Sequence, residues 1–109
     1  MSSWLVALIV TLVIEVPLVV AWYPGERARM ALAAVFANAA TNLALNLVLA
    51  PRGHLVLGET IALVVEAAVY ARVSRDRDVP RAIIVSAAAN LLSFSFGPVL
   101  AHLLGRALA

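Results

Sequence analysis

Four long apolar stretches, separated by short polar loops, limit what this chain can fold into. Each is long enough to cross roughly 30 Å of hydrocarbon as a helix that rises about 1.5 Å per residue. They are predicted to lie at about residues 4–22, 30–50, 55–73 and 81–104. We therefore expect residues 1–109 to form one all-α transmembrane domain, an integral membrane four-helix bundle.

The composition favours lipid as the main solvent. Of the 109 residues, 64% are hydrophobic and 13% are charged, whereas soluble domains average roughly half and a quarter. All basic residues are arginines, which lie mainly in loops without interleaved aromatic side chains. Membrane lipid is therefore an expected partner, and nucleic acid is not.

The arginines also predict an orientation. Six lie in or beside the loops near residues 24–29 and 74–81, whereas only Arg52 and Arg106 lie on the other side. Because cytoplasmic loops carry an excess of basic residues, we expect these two loops to be cytoplasmic and both termini to be outside. A prokaryotic plasma membrane is the expected location.

Aromatic and basic residues at the span ends are expected to contact the membrane interface. Trp4, Trp22 and Tyr23 occupy such positions, where amphipathic rings favour the headgroup region. Arg29 and Arg81 lie at the predicted cytoplasmic rim, where long basic side chains reach toward water. These residues are interpreted as membrane anchors. The alternative role of the two arginines is to attract an anionic group to the cytoplasmic mouth.

The polar residues of the two halves share one spacing. In the first half they are Glu15, Arg29, Asn38 and Thr41, and in the second half Glu66, Arg81, Asn90 and Ser93, with one extra loop residue. The first and third helices run in the same direction. This pattern predicts two parallel helical-hairpin repeats, at about residues 1–50 and 55–109, related by a pseudo-twofold axis along the membrane normal.

The repeated residues predict a polar layer near the middle of the bilayer, with one strongly polar side chain from each helix. An ionisable residue inside a membrane indicates a functional site, and two neighbouring acids in hydrocarbon favour a form that holds at least one proton. The predicted binding residues are Glu15, Asn38, Thr41, Asn42, Glu66, Tyr70, Asn90 and Ser93.

Three functions are compatible with this layer. The leading hypothesis is that it binds or passes a small cation, proton or polar solute, in a homo-oligomer or beside a partner membrane subunit. The alternative is a non-catalytic accessory subunit, because Glu and Asn can join membrane helices by hydrogen bonds worth about 0.6–2 kcal/mol each. The third is an intramembrane enzyme acting on a lipid-borne substrate.

The sequence contains no catalytic motif of the HExxH or Gly-x-Ser-x-Gly kind. No catalytic residue and no cofactor are therefore predicted, although a monovalent or divalent cation is compatible with the acids. His54, Glu59 and His102 lie toward the outer side and are weak candidates for a divalent metal site. Their spacing matches no ligand motif.

Overall fold

The computed structural model describes residues 3–108, which form four α-helices and no strand within that range. The helices are α1 (Ser3–Trp22), α2 (Arg27–Ala44), α3 (Leu55–Val73) and α4 (Val79–Leu108). A 3₁₀ turn at Pro24–Glu26 joins α1 to α2, and α2 continues into a π-helical turn at Leu45–Leu49 and a 3₁₀ turn at Ala50–Arg52. The predicted all-α class is confirmed.

Within residues 3–108, three helical segments are long and apolar enough to cross a membrane. They are Leu5–Trp22, Pro24–Leu49 and Val79–Ala107. Helix α3 has 19 residues but is less apolar, because it carries Glu59, Glu66 and Arg72. The three segments indicate a membrane protein, and a fourth span through α3 stays a prediction.

Helix α4 is longer than the sequence predicted. It begins at Val79, with Pro80 in its first turn, and continues through Gly97 and Pro98 to Leu108. A proline in the first helical turn loses no internal hydrogen bond, because the N–H groups there have no partner within the helix. Pro98 removes one N–H from the helix interior, a change that transmembrane helices tolerate when neighbouring groups satisfy the freed carbonyl.

The helices pack in chain order around a central axis. Helices α1 and α3 each contact both α2 and α4, as short connections between antiparallel neighbours require. The two loops at one end are joined by a hydrogen bond from the Arg75 backbone N–H to Glu26 Oε1, at 2.7 Å. We call this end, formed by loops 24–26 and 74–78, the closed end of the bundle.

The closed end holds a buried apolar cluster. Its buried residues are Val19, Tyr23, Met30, Ala33, Ala34, Tyr70, Ala82 and Val85. Small alanines allow the helix backbones to approach closely, while the two tyrosines and the methionine fill the space between them. The core of this end is therefore apolar.

Tyr23 corrects one prediction, because it is not an interfacial anchor. Its side chain is only 1% exposed, and the Arg81 guanidinium lies over its ring, 4.8 Å from the centroid. A cation over an aromatic face is a favourable contact, and it covers a ring that the turn after α1 directs into the bundle. Trp22 is 41% exposed, as expected at an interface, and the side chain of Trp4 lies outside the described residues.

The opposite end, which we call the open end, contains the π-helical turn of α2. Gly58 of α3 faces this turn, and a Cβ added there would overlap the Leu45 side chain. The absence of a side chain at position 58 thus lets α3 approach α2. Single π-helical turns often occur at functional sites, and this one begins directly after the Asn-bearing stretch of α2.

Candidate functional site: a polar cavity between the four helices

A polar cavity of about 80 Å³ lies between the four helices, on the open side of the apolar core. Its lining residues are Thr11, Glu15, Asn38, Thr41, Asn42, Leu45, Glu59, Ala62, Glu66, Asn90, Ser93 and Phe94. A cavity of this volume has room for several water molecules, or for a small ion with part of its hydration shell. Seven of the eight predicted binding residues are therefore brought together, and the exception is Tyr70.

Both carboxyl oxygens of Glu66 have a hydrogen-bond partner. Its side chain is 1% exposed. Thr41 Oγ1 of α2 lies 2.9 Å from Oε2, and Asn90 Nδ2 of α4 donates to Oε1 at 2.9 Å. This carboxyl group thereby joins three helices, and neither of its oxygens lacks a partner.

Glu15 is equally buried but only half satisfied. Its side chain is 1% exposed, and Ser93 Oγ donates to Oε1 at 3.2 Å. The other oxygen, Oε2, is buried and has no hydrogen-bond partner among residues 3–108. A buried polar atom left without a partner costs about 1–3 kcal/mol, so this oxygen marks a position where a proton, a water molecule or a cation is stabilised.

The Thr41 hydroxyl lies between two acceptors. Its Oγ1 is 2.9 Å from the Ala37 carbonyl oxygen and 2.9 Å from Glu66 Oε2, but a hydroxyl carries a single proton. When Glu66 is ionised, Thr41 donates to it. When Glu66 is protonated on Oε2, Glu66 donates to Thr41 and Thr41 donates to Ala37. The contact therefore fits both protonation states of Glu66.

The two predicted asparagines are each fixed by their own helix. Asn38 Nδ2 donates to the Ala34 carbonyl at 2.8 Å, and Asn90 Nδ2 donates to the Ser86 carbonyl at 2.8 Å. Asn38 Nδ2 also lies 3.3 Å from the hydroxyl of Tyr70. Tyr70 thus contacts the polar layer from the closed end and does not line the cavity.

Further polar residues extend the layer toward the open end. Asn42 Nδ2 donates to Thr11 Oγ1 at 3.3 Å, and Asn46 Nδ2 donates to Asn42 Oδ1 at 2.7 Å. Thr11 and Asn46 were not among the predicted binding residues. Their spacing of four residues from Glu15 and Asn42 places them on the same helix faces, and this was the available signal.

No protein family, curated protein or solved structure matches this sequence. The chemistry of the cavity is then the basis for a function. Its described lining includes three carboxyl groups, those of Glu15, Glu59 and Glu66, together with hydroxyl and amide groups, and no Arg or His side chain. Opposite charges attract strongly in a site shielded from water, so this lining favours a positively charged occupant.

The weaker metal hypothesis gains no support from the geometry. Within the described range, no three His, Cys, Asp or Glu side chains are grouped so that they could hold a metal ion. His54 and His102 are exposed, whereas Glu59 is half-buried and lines the cavity. Of the three candidates, only Glu59 belongs to the polar layer.

Proposed function

We propose that this protein binds a small cation from the open end, in competition with a proton at Glu15 and Glu66, and that a second conformation, open at the other end, completes its passage across the membrane. The observation that carries the proposal is Glu15 Oε2, which is buried beside the cavity without a partner among the described residues. With a single carboxylate oxygen left free, a monovalent ion is the expected ligand. A cavity of about 80 Å³ limits that ligand to a small ion.

The two acids have different roles in this proposal. A cation binds at Glu15 Oε2 and replaces the proton that two neighbouring acids would otherwise retain. Glu66 can release or take up that proton without losing a contact, because Thr41 reverses the direction of its hydrogen bond. Binding is then an exchange of one proton for one cation, and the net charge in the cavity does not change.

Equivalent contacts in the two halves support the predicted pair of parallel repeats. Thr41 lies within hydrogen-bond distance of Glu66, and Ser93, at the corresponding position of the second half, donates to Glu15. The corresponding asparagines, Asn38 and Asn90, each donate to the carbonyl four residues earlier, at 2.8 Å. A pseudo-twofold axis through the cavity, along the membrane normal, would relate these contacts.

The proposal takes α3 as the fourth span and the closed end as the cytoplasmic end. The arginines of loops 24–29 and 74–81 support this orientation, and the inward position of Glu66 removes its carboxyl from lipid. Large apolar side chains such as Leu32, Phe36 and Val56 are exposed on the outer surface. Such a surface suits lipid, further copies of the chain or a partner membrane subunit.

A second candidate is a structural role in helix assembly, and a specific observation favours it. The hydrogen bonds of the layer bridge every neighbouring pair of helices, through the pairs Thr11–Asn42, Thr41–Glu66, Asn90–Glu66 and Ser93–Glu15. Hydrogen bonds of this kind stabilise membrane helix pairs modestly. A structural role needs these contacts but does not need the charge of either acid.

Proton release on sodium binding, measured first in the wild-type protein and then in glutamine variants of each acid, separates the two functions. Purified protein in detergent, weakly buffered near pH 7, is titrated with sodium chloride while a pH indicator records released protons. We expect about one proton per chain at saturation, because binding to a carboxylate displaces its proton. Choline chloride is the ionic-strength control, since its quaternary ammonium ion is too large for the cavity.

Glu15→Gln and Glu66→Gln should abolish proton release and sodium flux in proteoliposomes while the fold survives. The matched control is Glu26→Gln, which changes a glutamate that accepts from Arg75 at the closed end, away from the cavity. Proton release that is normal in both cavity variants would contradict the proposal. Absence of release from the wild-type protein with sodium, lithium, potassium and ammonium would favour the structural role.

A further inference from the structure

The geometry points to Glu59 as the residue that admits cations from the open end and excludes anions there. Because it presupposes a cation site at Glu15 and Glu66, this role depends on the function proposed above. Glu59 is half-buried. It lines the inner cavity and also two adjoining cavities of about 240 and 510 Å³, so this residue lies where the three spaces meet.

The cavity of about 240 Å³ continues the inner one toward the open end. The two share Thr11, Asn42 and Ser93, and the larger one extends past Gly97 to Ala101. A cation that enters beside Gly97 therefore meets Glu59 before it reaches the acid pair. We call this larger space the vestibule.

The positions of the acids along α3 fit a path between them. Glu59 and Glu66 are seven residues apart, which is about two helical turns and roughly 10 Å along one helix face. The hydrogen-bonded side chains of Asn46, Asn42 and Thr11 form a polar wall of the vestibule, and Asn42 and Thr11 continue into the inner cavity. Their oxygen atoms can replace part of the hydration shell of a passing cation.

Apolar side chains fill the closed end. Val19, Met30, Tyr70 and Val85 are 0% exposed there, and Tyr70 contacts Asn38 from that side. Arg52, the basic residue in the turn before α3, donates to the Val48 carbonyl at 2.9 Å and does not line the vestibule. Of the described residues that line the vestibule, Glu59 is the only one with a charged side chain.

The test uses introduced cysteines, since the chain has none of its own. Gly97→Cys places a thiol in the vestibule, where an added Cβ would meet only Val10 Cγ1, at 3.9 Å. The variant is reconstituted in phosphatidylcholine vesicles and treated at pH 8.5 with two methanethiosulfonates of similar size. One carries a trimethylammonium group and the other a sulfonate. The reaction rate of each reagent with the protein thiol is divided by the rate of the same reagent with free cysteine.

We expect the cationic reagent to react faster with the thiol of Gly97→Cys by about tenfold, because a carboxylate in a low-dielectric cleft concentrates cations. Adding Glu59→Gln to the Gly97→Cys variant should bring the ratio of the cationic to the anionic reaction rate close to one. Thr60→Ala is the matched control, because Thr60 is the neighbouring residue and its hydroxyl donates to the Val56 carbonyl. Asn46→Cys provides a second thiol in the vestibule, and Val85→Cys provides a buried one at the closed end.

Each outcome separates the role of Glu59 from that of the acid pair. An unchanged ratio in Glu59→Gln would overturn the role of Glu59, even if sodium still released a proton at the inner site. Equal reaction rates of the Val85→Cys and Gly97→Cys variants would show that the closed end is as accessible as the vestibule, and would contradict entry from the open end alone. A charge ratio that Glu59→Gln removes, with no proton release from the wild-type protein, would support the selective mouth and contradict the proposed function.

Discussion

The two ends of the bundle are built from the same four helices but are filled differently. At the closed end, Met30, Tyr70 and Tyr23 are buried between alanines in an apolar cluster. At the open end, cavities of about 80 and 240 Å³ are lined by amide, hydroxyl and carboxyl groups. The difference shows that packing, and not helix number, decides which half of a small bundle contains a polar cavity.

The acid pair lies at the boundary between these two ends. The apolar core on one side excludes water, which strengthens every electrostatic contact made by Glu15 and Glu66. The cavity on the other side gives a ligand access to them. An ion site needs both conditions, since a fully wet carboxylate binds weakly and a fully enclosed one cannot be reached.

The largest expected effect tests whether stability is concentrated at the closed end. Met30→Ala removes a fully buried side chain and should lower the free energy of unfolding by about 2–4 kcal/mol, through lost contacts and a residual cavity. Leu103→Ala at the open end removes a side chain that is 55% exposed and should cost less than about 1 kcal/mol. Unfolding by denaturing detergent measures both, and equal losses would contradict the comparison.

The next-largest effect is the difference in stability loss between leucine substitutions of the two acids, because each substitution leaves different hydrogen-bonding groups unpaired. Glu66→Leu deprives Asn90 Nδ2 of an acceptor and should cost about 1–3 kcal/mol. Glu15→Leu deprives only the Ser93 hydroxyl and also removes the unpartnered oxygen. It should cost at least about 1 kcal/mol less than Glu66→Leu in the same unfolding assay. The reverse order would contradict the interpretation that Glu66 is the fully paired acid and Glu15 the one with an unpartnered oxygen.

Helix positions and most of the polar layer could be predicted from the sequence, because both depend on local patterns. The lengths of the apolar stretches located the helices, and helical spacing placed Glu15, Glu66 and Asn90 on inward faces. These patterns report which face of a helix is polar. They do not report which partner each polar group meets.

The features that escaped prediction depend on contacts between helices. The π-helical turn after Ala44 and the approach of Gly58 to Leu45 require α2 and α3 to be packed together. The burial of Tyr23 under Arg81 requires the first turn of α4 to lie beside the end of α1. The unpartnered oxygen of Glu15 is visible only after every donor nearby has been assigned.

A smaller effect is expected from alanine substitutions of two glycines near the open end, only one of which lies against another helix. Gly58→Ala forces the Leu45 side chain to move, and Leu45 lines the inner cavity. We expect a loss of about 1 kcal/mol from overpacking and weaker sodium-linked proton release. Gly105→Ala meets nothing within 4 Å and should gain about 0.5–1 kcal/mol from helix propensity. Equal effects would show that α2 and α3 are not in close contact.

The smallest effect tests whether the closed end excludes water at its outermost residue. Tyr23 lies between the first two spans, and its hydroxyl is buried without a partner among residues 3–108. Tyr23→Phe keeps the ring under Arg81 and removes this hydroxyl, so at pH 7 it should be neutral or stabilising by up to about 1 kcal/mol. Burial raises the pKa of Tyr23 above its usual 10.0, although the nearby Arg81 opposes the shift.

The sign of the pH dependence follows from this shift. Above pH 10 the unfolded chain loses the tyrosine proton while the folded chain retains it, so the unfolded state binds fewer protons and stability falls as the pH rises. Tyr23→Phe lacks this contribution, so its advantage over the wild-type protein should be larger at pH 10.5 than at pH 8 in thermal unfolding. An advantage that stays constant would mean that Tyr23 ionises as freely in the folded protein as in the unfolded chain. Water would then reach the closed end, and the two ends would differ in shape but not in access to solvent.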